Sequence, residues 1–224
     1  MKKGILLGFA LVLFASQPAS ASIIKWTDWT SYSTGITGVA DGTIAPSVTV
    51  HYSGDVTFAQ TGPGSGIDYW TEGTPAPYTG NALISNAPTP REMVAMSLVS
   101  TNTITFSHAV KDPIMAIVSM GQPNKMVTYD FDAPFTVLSE GQGYWGDGSY
   151  SLLAGDILQG NELHGAIQFN GTFSSISWST APSEYWHGMT FGIVNSPVPE
   201  PSTLILLGSG LAALGLWRRK RQVK

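Results

Sequence analysis

The chain has 224 residues, 43% of them apolar and 12% charged, with no cysteine and a formal net charge of −4. A chain of this length holds a full-sized domain, and the lack of cysteine excludes disulfides, a thiol nucleophile and Cys-ligated zinc or iron–sulfur sites. With only eleven basic residues, nucleic acid is excluded as a natural partner.

The first element is a leader. Lys2 and Lys3 precede a twelve-residue apolar stretch, 4–15, and Pro18 then breaks any helix ahead of Ala19-Ser20-Ala21. A positive start, a short apolar run and small residues at a cleavage point mark a secretory signal peptide, and the run is too short to span a bilayer. The sequence predicts a signal peptide over residues 1–21, removed by signal peptidase, and a mature start near Ser22.

Residues 22–196 form one exported domain. It contains four basic residues (Lys25, Arg91, Lys111, Lys125) against fourteen acidic ones, a formal charge of −10. Such a surface repels phosphate backbones and anionic headgroups and leaves cations and neutral glycans as compatible partners. Short runs rich in β-branched and aromatic residues occur at 47–52, 103–106, 114–118, 127–131, 167–169, 173–178 and 189–193, separated by Gly, Pro, Asn and Asp. They predict strands. The nearest approach to a helical stripe is 91–99, where Met93, Val94 and Leu98 fit one or two turns. Asn170-Gly171 predicts a tight hairpin turn needing positive φ, and a parity change after Phe173 predicts a bulge at Ser174-Ser175. Many short strands in one segment give an all-β fold, an antiparallel β-sandwich or jelly roll.

The C-terminal elements follow. Residues 197–202 are an extended, helix-excluding linker containing Val198, Pro199, Glu200 and Pro201. Residues 203–217 carry no charge; as a helix they reach about 22 Å, a marginal span against a core of about 30 Å. Arg218, Arg219, Lys220 and Arg221 then stop transfer and place the basic tail, 218–224, in the cytoplasm. With the signal peptide removed, the domain is expected outside the membrane.

The string VPEPSTLILLGSGLAALGLWRRKR, about the last tenth of the chain, resembles a PEP-CTERM sorting tail. The resemblance implies an exopolysaccharide-secreting Gram-negative bacterium, brief residence in the inner membrane, and processing near the motif by an exosortase. The final destination is then the cell surface or the extracellular matrix. Val198, Pro199, Glu200 and Pro201 are on this reading recognition elements for that enzyme, not catalytic groups of this chain. The stretches TITFSHAVKDPIMAIVSMGQP and IQFNGTFSSISWSTAPSEYWHGMTFGIV resemble exported domains joined to such tails and imply no mechanism.

Within the domain, His51 falls on the solvent parity of its strand, opposite Val48 and Val50. His187, beside Tyr185 and Trp186, reads as a packed loop histidine before a catalytic one. The GxGxxG match at 141–146 precedes another Gly-Asp loop instead of a helix, so it offers a phosphate no helix N-terminus. Asp130 and Asp132 flank Phe131 on one strand face, with Asp147 and Asp156 in later loops and Glu162 in a later turn. Three readings of these acids stay open: solvated acids in Asx turns, a calcium site made by Asp130, Asp132, Asp147 or Asp156, and a glycosidase pair. The domain's six Trp and eight Tyr include the loop pairs Tyr69-Trp70, Tyr144-Trp145 and Tyr185-Trp186. Tyr144, Trp145, Tyr185 and Trp186 are the candidate glycan contacts, since an exposed ring stacks on a sugar face. The leading expectation is a noncatalytic exported surface or matrix protein without a cofactor, calcium aside. One alternative is a carbohydrate-binding module of the exopolysaccharide matrix, favoured if paired aromatics share an exposed face. The other is a secreted carboxylate-dependent hydrolase, favoured if two acids or an acid–histidine pair converge in a cleft.

Overall fold

The structure, a computed structural model, describes residues 21–44, 47–62 and 66–195. The leader up to residue 20, the motif residues Val198, Pro199, Glu200 and Pro201, the apolar stretch 203–217 and the basic residues Arg218, Arg219, Lys220 and Arg221 lie outside the described residues. Among the described residues no helix is long and apolar enough to cross a membrane.

The elements are all strands. They are β1 (Ile24–Trp26), β2 (Asp28–Ser33), β3 (Gly35–Ile44), β4 (Val48–Val56), β5 (Phe58–Gln60) and β6 (Met93–Met96). Then come β7 (Ser100–Lys111), β8 (Ile114–Met120), β9 (Val127–Phe131), β10 (Phe135–Glu140), β11 (Gln142–Gly143) and β12 (Gly146–Asp147). The last five are β13 (Ser149–Leu153), β14 (Ile157–Asn161), β15 (Leu163–Phe169), β16 (Thr172–Ala181) and β17 (His187–Val194). One eight-stranded sheet runs β13-β14-β9-β16-β7-β4-β3-β2. A seven-stranded sheet runs β10-β15-β8-β17-β6-β5, with β1 also paired to β17. Strand pairing within both sheets is antiparallel.

The two sheets pack face to face as a β-sandwich. Along β4, Val48, Val50 and Tyr52 point inward while Thr49 and His51 face out, the two-residue period of a half-buried strand. From the eight-stranded sheet, Trp29, Tyr52, Phe106, Tyr129 and Trp178 meet Met96, Ile117, Phe169 and Phe191 of the other sheet in one core. The seven-stranded sheet is covered on its second face too. There the segment 61–92 lays Trp70, Tyr78 and Ile84 over Met93, Ile114, Ala116 and Val118. That cover explains why β8 is buried from its first residue: Met115 and Ile117 enter one core and Ile114, Ala116 and Val118 the other. A strand buried on both faces reads as an unbroken apolar run, as IMAIV does.

All seven expected strands occur, most of them longer than the apolar run that betrayed them, and β9 has the expected bounds. The bulge is present as a register shift between Phe173 and Ser175 against β7. Two expectations are corrected. The 91–99 stretch is not helical: Met93–Met96 is β6, with Val94 and Met96 in the inter-sheet core and Met93 and Ala95 in the outer one. Burial on both faces leaves no polar face to reveal the strand's period. Asn170-Gly171 does not close a hairpin, because β15 pairs with β8 and β10 while β16 pairs with β7 and β9 in the opposite sheet. Gly171 does have positive φ, +147°, but it serves a crossover between layers.

Candidate functional site

At one end of the sandwich, four segments bring aromatic side chains together. The Gly-rich stretch 141–146 folds as a two-stranded hairpin, β11 with β12, with Tyr144 and Trp145 at its tip. Glycine at 143 is required there, because a Cβ would overlap the ring of buried His164. The loop between β16 and β17 supplies Tyr185 and Trp186, the 61–92 segment supplies Tyr69, and β5 supplies Phe58. Tyr69 stacks on Trp145 at 5.2 Å and 16°, and packs edgewise on Trp186 at 5.0 Å. Trp145 meets Trp186 at 5.0 Å and Tyr144 at 4.7 Å, while Phe58 supports Trp186 from 5.1 Å. Rings locked this way need little ordering when a ligand arrives.

Beside these rings opens a cleft of about 270 Å³. Trp145, Tyr185 and Trp186 form its aromatic side; Ser119, Glu162 and Glu184 form its polar side, with Gly121 and Gln122 between. Ser119 Oγ donates to Glu162 Oε1 at 2.5 Å. Glu184 Oε1 accepts two bonds, from the Gly121 N–H at 2.9 Å and from His187 Nδ1 at 2.5 Å. The loop that carries Glu184 is itself tied down: its N–H donates to the Ser97 carbonyl, and the N–H groups of Ser97 and Leu98 donate to buried Asp55. Ser119 and Glu162 both adopt left-handed backbone, with φ of 59° and 57°. For non-glycine residues that conformation costs about 1–3 kcal/mol each and concentrates at functional sites.

The electrostatics are one-sided. Burial pushes the Glu162 carboxyl up, the Ser119 hydroxyl pulls it back, and the charge of Glu184 adds to the rise. Burial holds His164 down at about 4, so it is neutral beneath the cleft, stacked 6.5 Å from Trp145 with Nε2 3.9 Å from Glu162 Oε1. Both ring nitrogens of His164 and Nε2 of His187 have no hydrogen-bond partner among the described residues. Among the described residues no basic side chain lines the cleft. A wider hollow of about 410 Å³ holds the pair His51 Nδ1 and Asp41 Oδ1 at 2.7 Å, and another of about 550 Å³ lies beside residues 108–112; no tryptophan or tyrosine is among the described residues lining either.

Of the residues the sequence singled out, Trp145, Tyr185 and Trp186 line this cleft, and Tyr144 packs against Trp145. His187 is indeed packed, but against a carboxylate that the sequence reading had passed over. Asp130, Asp132, Asp147 and Asp156 are exposed and lie elsewhere. Asp132 caps the Ser177 N–H at 2.9 Å, and the Asp156 carbonyl accepts the Phe131 N–H at 3.0 Å. Among the described residues no group of three His, Cys, Asp or Glu is placed to hold a metal ion. The sequence reading missed Ser119, Glu184 and His164. The run Glu184-Tyr185-Trp186-His187 was the available signal, an acid and an imidazole enclosing two rings.

No curated protein and no solved structure matches the chain. Residues 197–220 do match the PEP-CTERM protein-sorting motif, so the chain carries a C-terminal sorting motif that implies export and processing by an exosortase.

Proposed function

We propose that the chain is a noncatalytic protein of the extracellular matrix that holds exopolysaccharide in the cleft between Trp145, Tyr185 and Trp186. The observation that carries this reading is convergence. Aromatic side chains from separate loops, spread over more than a hundred residues of sequence, meet on one accessible face beside a polar cleft. Rings offering an apolar body with a polar handle suit wet sugar surfaces, and Tyr185, at 86% exposure, is free to cover a bound residue.

A second reading, a carboxylate-dependent hydrolase, is favoured by Glu162 and Glu184 lining the same cleft. Glycoside cleavage needs two carboxyls that reach the scissile bond. Glu184 has 1% side-chain exposure and is held by two donors, which favours binding over hydrolysis.

The test is retention on the host's own exopolysaccharide, together with an assay for new reducing ends. Wild type should be retained without releasing reducing ends. Trp145→Ala and Trp186→Ala should each weaken retention about tenfold, the stacking of roughly one ring, with the circular dichroism spectrum unchanged. Equal retention of wild type and both variants would remove the cleft from the binding surface. Reducing ends that disappear in Glu162→Gln would establish the hydrolase.

A further inference from the structure

We infer that the sugar this cleft selects carries a free ammonium group, as a deacetylated hexosamine does, and that Glu162 is its acceptor. The inference rests on the glycan reading above and adds the chemical class of ligand. Three independent features of the site lead to it.

The first is an excess of acid over base. Glu162 and Glu184 line one cleft with no basic side chain among its lining residues. Lys125 lies in the turn that bears Gln122, but it makes no ion pair. Two acids held together in a partly desolvated site repel each other, and a cation placed between the cleft wall and Glu162 relieves that repulsion. Consistent with this, the Glu162 carboxyl is pushed up by burial and by Glu184.

The second is how the acids are presented. Glu184 lines the cleft with only 1% side-chain exposure, fixed by Gly121 and His187, so it contributes field more than contact. Glu162 keeps 19% side-chain exposure. Its Oε1 takes the Ser119 hydroxyl, and its Oε2 has no partner among the described residues. One oxygen is thus oriented by the protein and the other is left for a donor. An ammonium supplies three N–H donors and no acceptor, whereas an acetamido or hydroxyl group brings no charge. A carboxylate or sulfate sugar would meet two like charges.

The third is the aromatic lining. Trp145, Trp186 and Tyr185 line the same cleft as the acids, and such rings themselves accept cations at their faces. The same rings give the sugar body an apolar surface, so an amino sugar satisfies both halves of the cleft at once.

The experiment uses the full-length chain in detergent micelles and isothermal titration with three hexamers: glucosamine, N-acetylglucosamine and glucose. At low salt the glucosamine hexamer should bind at least about tenfold tighter than either of the others, the worth of one charge-assisted hydrogen bond. The preference should shrink as salt is raised. Glu162→Gln keeps an acceptor for Ser119, and it should lose the preference while still binding the N-acetylated hexamer. Tyr185→Ala, at a fully accessible position, should weaken all three hexamers together. Equal affinity for the three hexamers in wild type overturns the ammonium inference and leaves glycan binding intact. No binding of any hexamer or of the host polysaccharide overturns both. Heat from calcium alone, with none from the glucosamine hexamer, also overturns the inference and assigns the acids to a metal.

Discussion

Glu92 sits in the core at 3% exposure, where its Oε2 accepts the Trp29 N–H at 3.2 Å. Burial, followed by the hydrogen bond and charge of Asp28, pushes its carboxyl up from 4.5 to about 8, against the opposing pull of the Trp29 N–H. Between those values the folded chain holds a proton that the unfolded chain has released. This stabilisation is complete below pH 4.5 and is lost as pH rises through about 8. His164 acts in the other direction. Burial lowers it from 6.5 to about 4, so its contribution is complete above pH 6.5 and is lost as pH falls through about 4. The two slopes oppose each other between 4.5 and 6.5. Melting temperature should therefore fall more gently with rising pH in that window than above 6.5, where nothing offsets the Glu92 slope. Glu92→Gln keeps an acceptor for Trp29 and should flatten most of the alkaline fall, at about 1.4 kcal/mol for each pH unit over which the proton is held. A remnant should persist, because burial also raises Glu140 and Glu162. An alkaline limb unchanged in the variant would assign the proton elsewhere.

Among the elements, the crossover from β15 to β16 is the most constrained. Gly171 N–H donates to Asp112 Oδ1 at 2.9 Å, and the Gly171 carbonyl accepts the Asp112 N–H at 2.7 Å. These reciprocal bonds join the turn between β7 and β8 to the passage from one sheet to the other. A side chain at 171 has to adopt φ of +147°, and its Cβ would lie 3.1 Å from the Phe173 ring. Gly171→Val should cost about 1–2 kcal/mol from backbone strain alone, measured as a lower urea midpoint with an unchanged slope. The β11–β12 hairpin is the opposite kind of element: two short strands whose tip is held by aromatic contacts to Tyr69 and Trp186. Removing Trp145 therefore loosens the hairpin locally and leaves the two-sheet core in place.

For the whole molecule, the decisive segment is the tail. Residues 203–217 carry no charge and precede four consecutive basic residues, and we propose that this stretch serves as a temporary membrane anchor with Pro-Glu-Pro ahead of it as the element the processing enzyme reads. Glu200→Ala, or deletion of residues 218–221, should leave the β-sandwich folded and disrupt processing. The deletion should also weaken membrane retention, because the stop-transfer charge is gone. Fractionation of host cells and the mass of the exported product read both effects. A steady-state product still carrying residues 203–224 would leave an ordinary single-span protein.

The sequence by itself carried the sorting motif and the all-β class of the domain. Charge, apolar length and the Pro-Glu-Pro order are local properties, and export signals work by being read locally. Strands exposed on one face were legible for the same reason: alternation such as Val48, Val50 and Tyr52 against Thr49 and His51 needs no knowledge of partners. Tertiary structure alone decided three things. It placed Met93–Met96 between two cores, where burial on both faces erases the period that would have announced a strand. It sent the strands on either side of Gly171 to different sheets, since a tight turn fixes local φ but not which edge each strand finds. It also assembled the cleft, because Ser119, Glu162 and Glu184 are far apart in sequence and meet only when β8, β15 and β17 lie side by side. Tyr185 and Trp186 were visible from sequence as rings in a loop and Glu162 as one acid among several; that Glu162 and Glu184 share a cleft with the rings became visible only once the chain had folded.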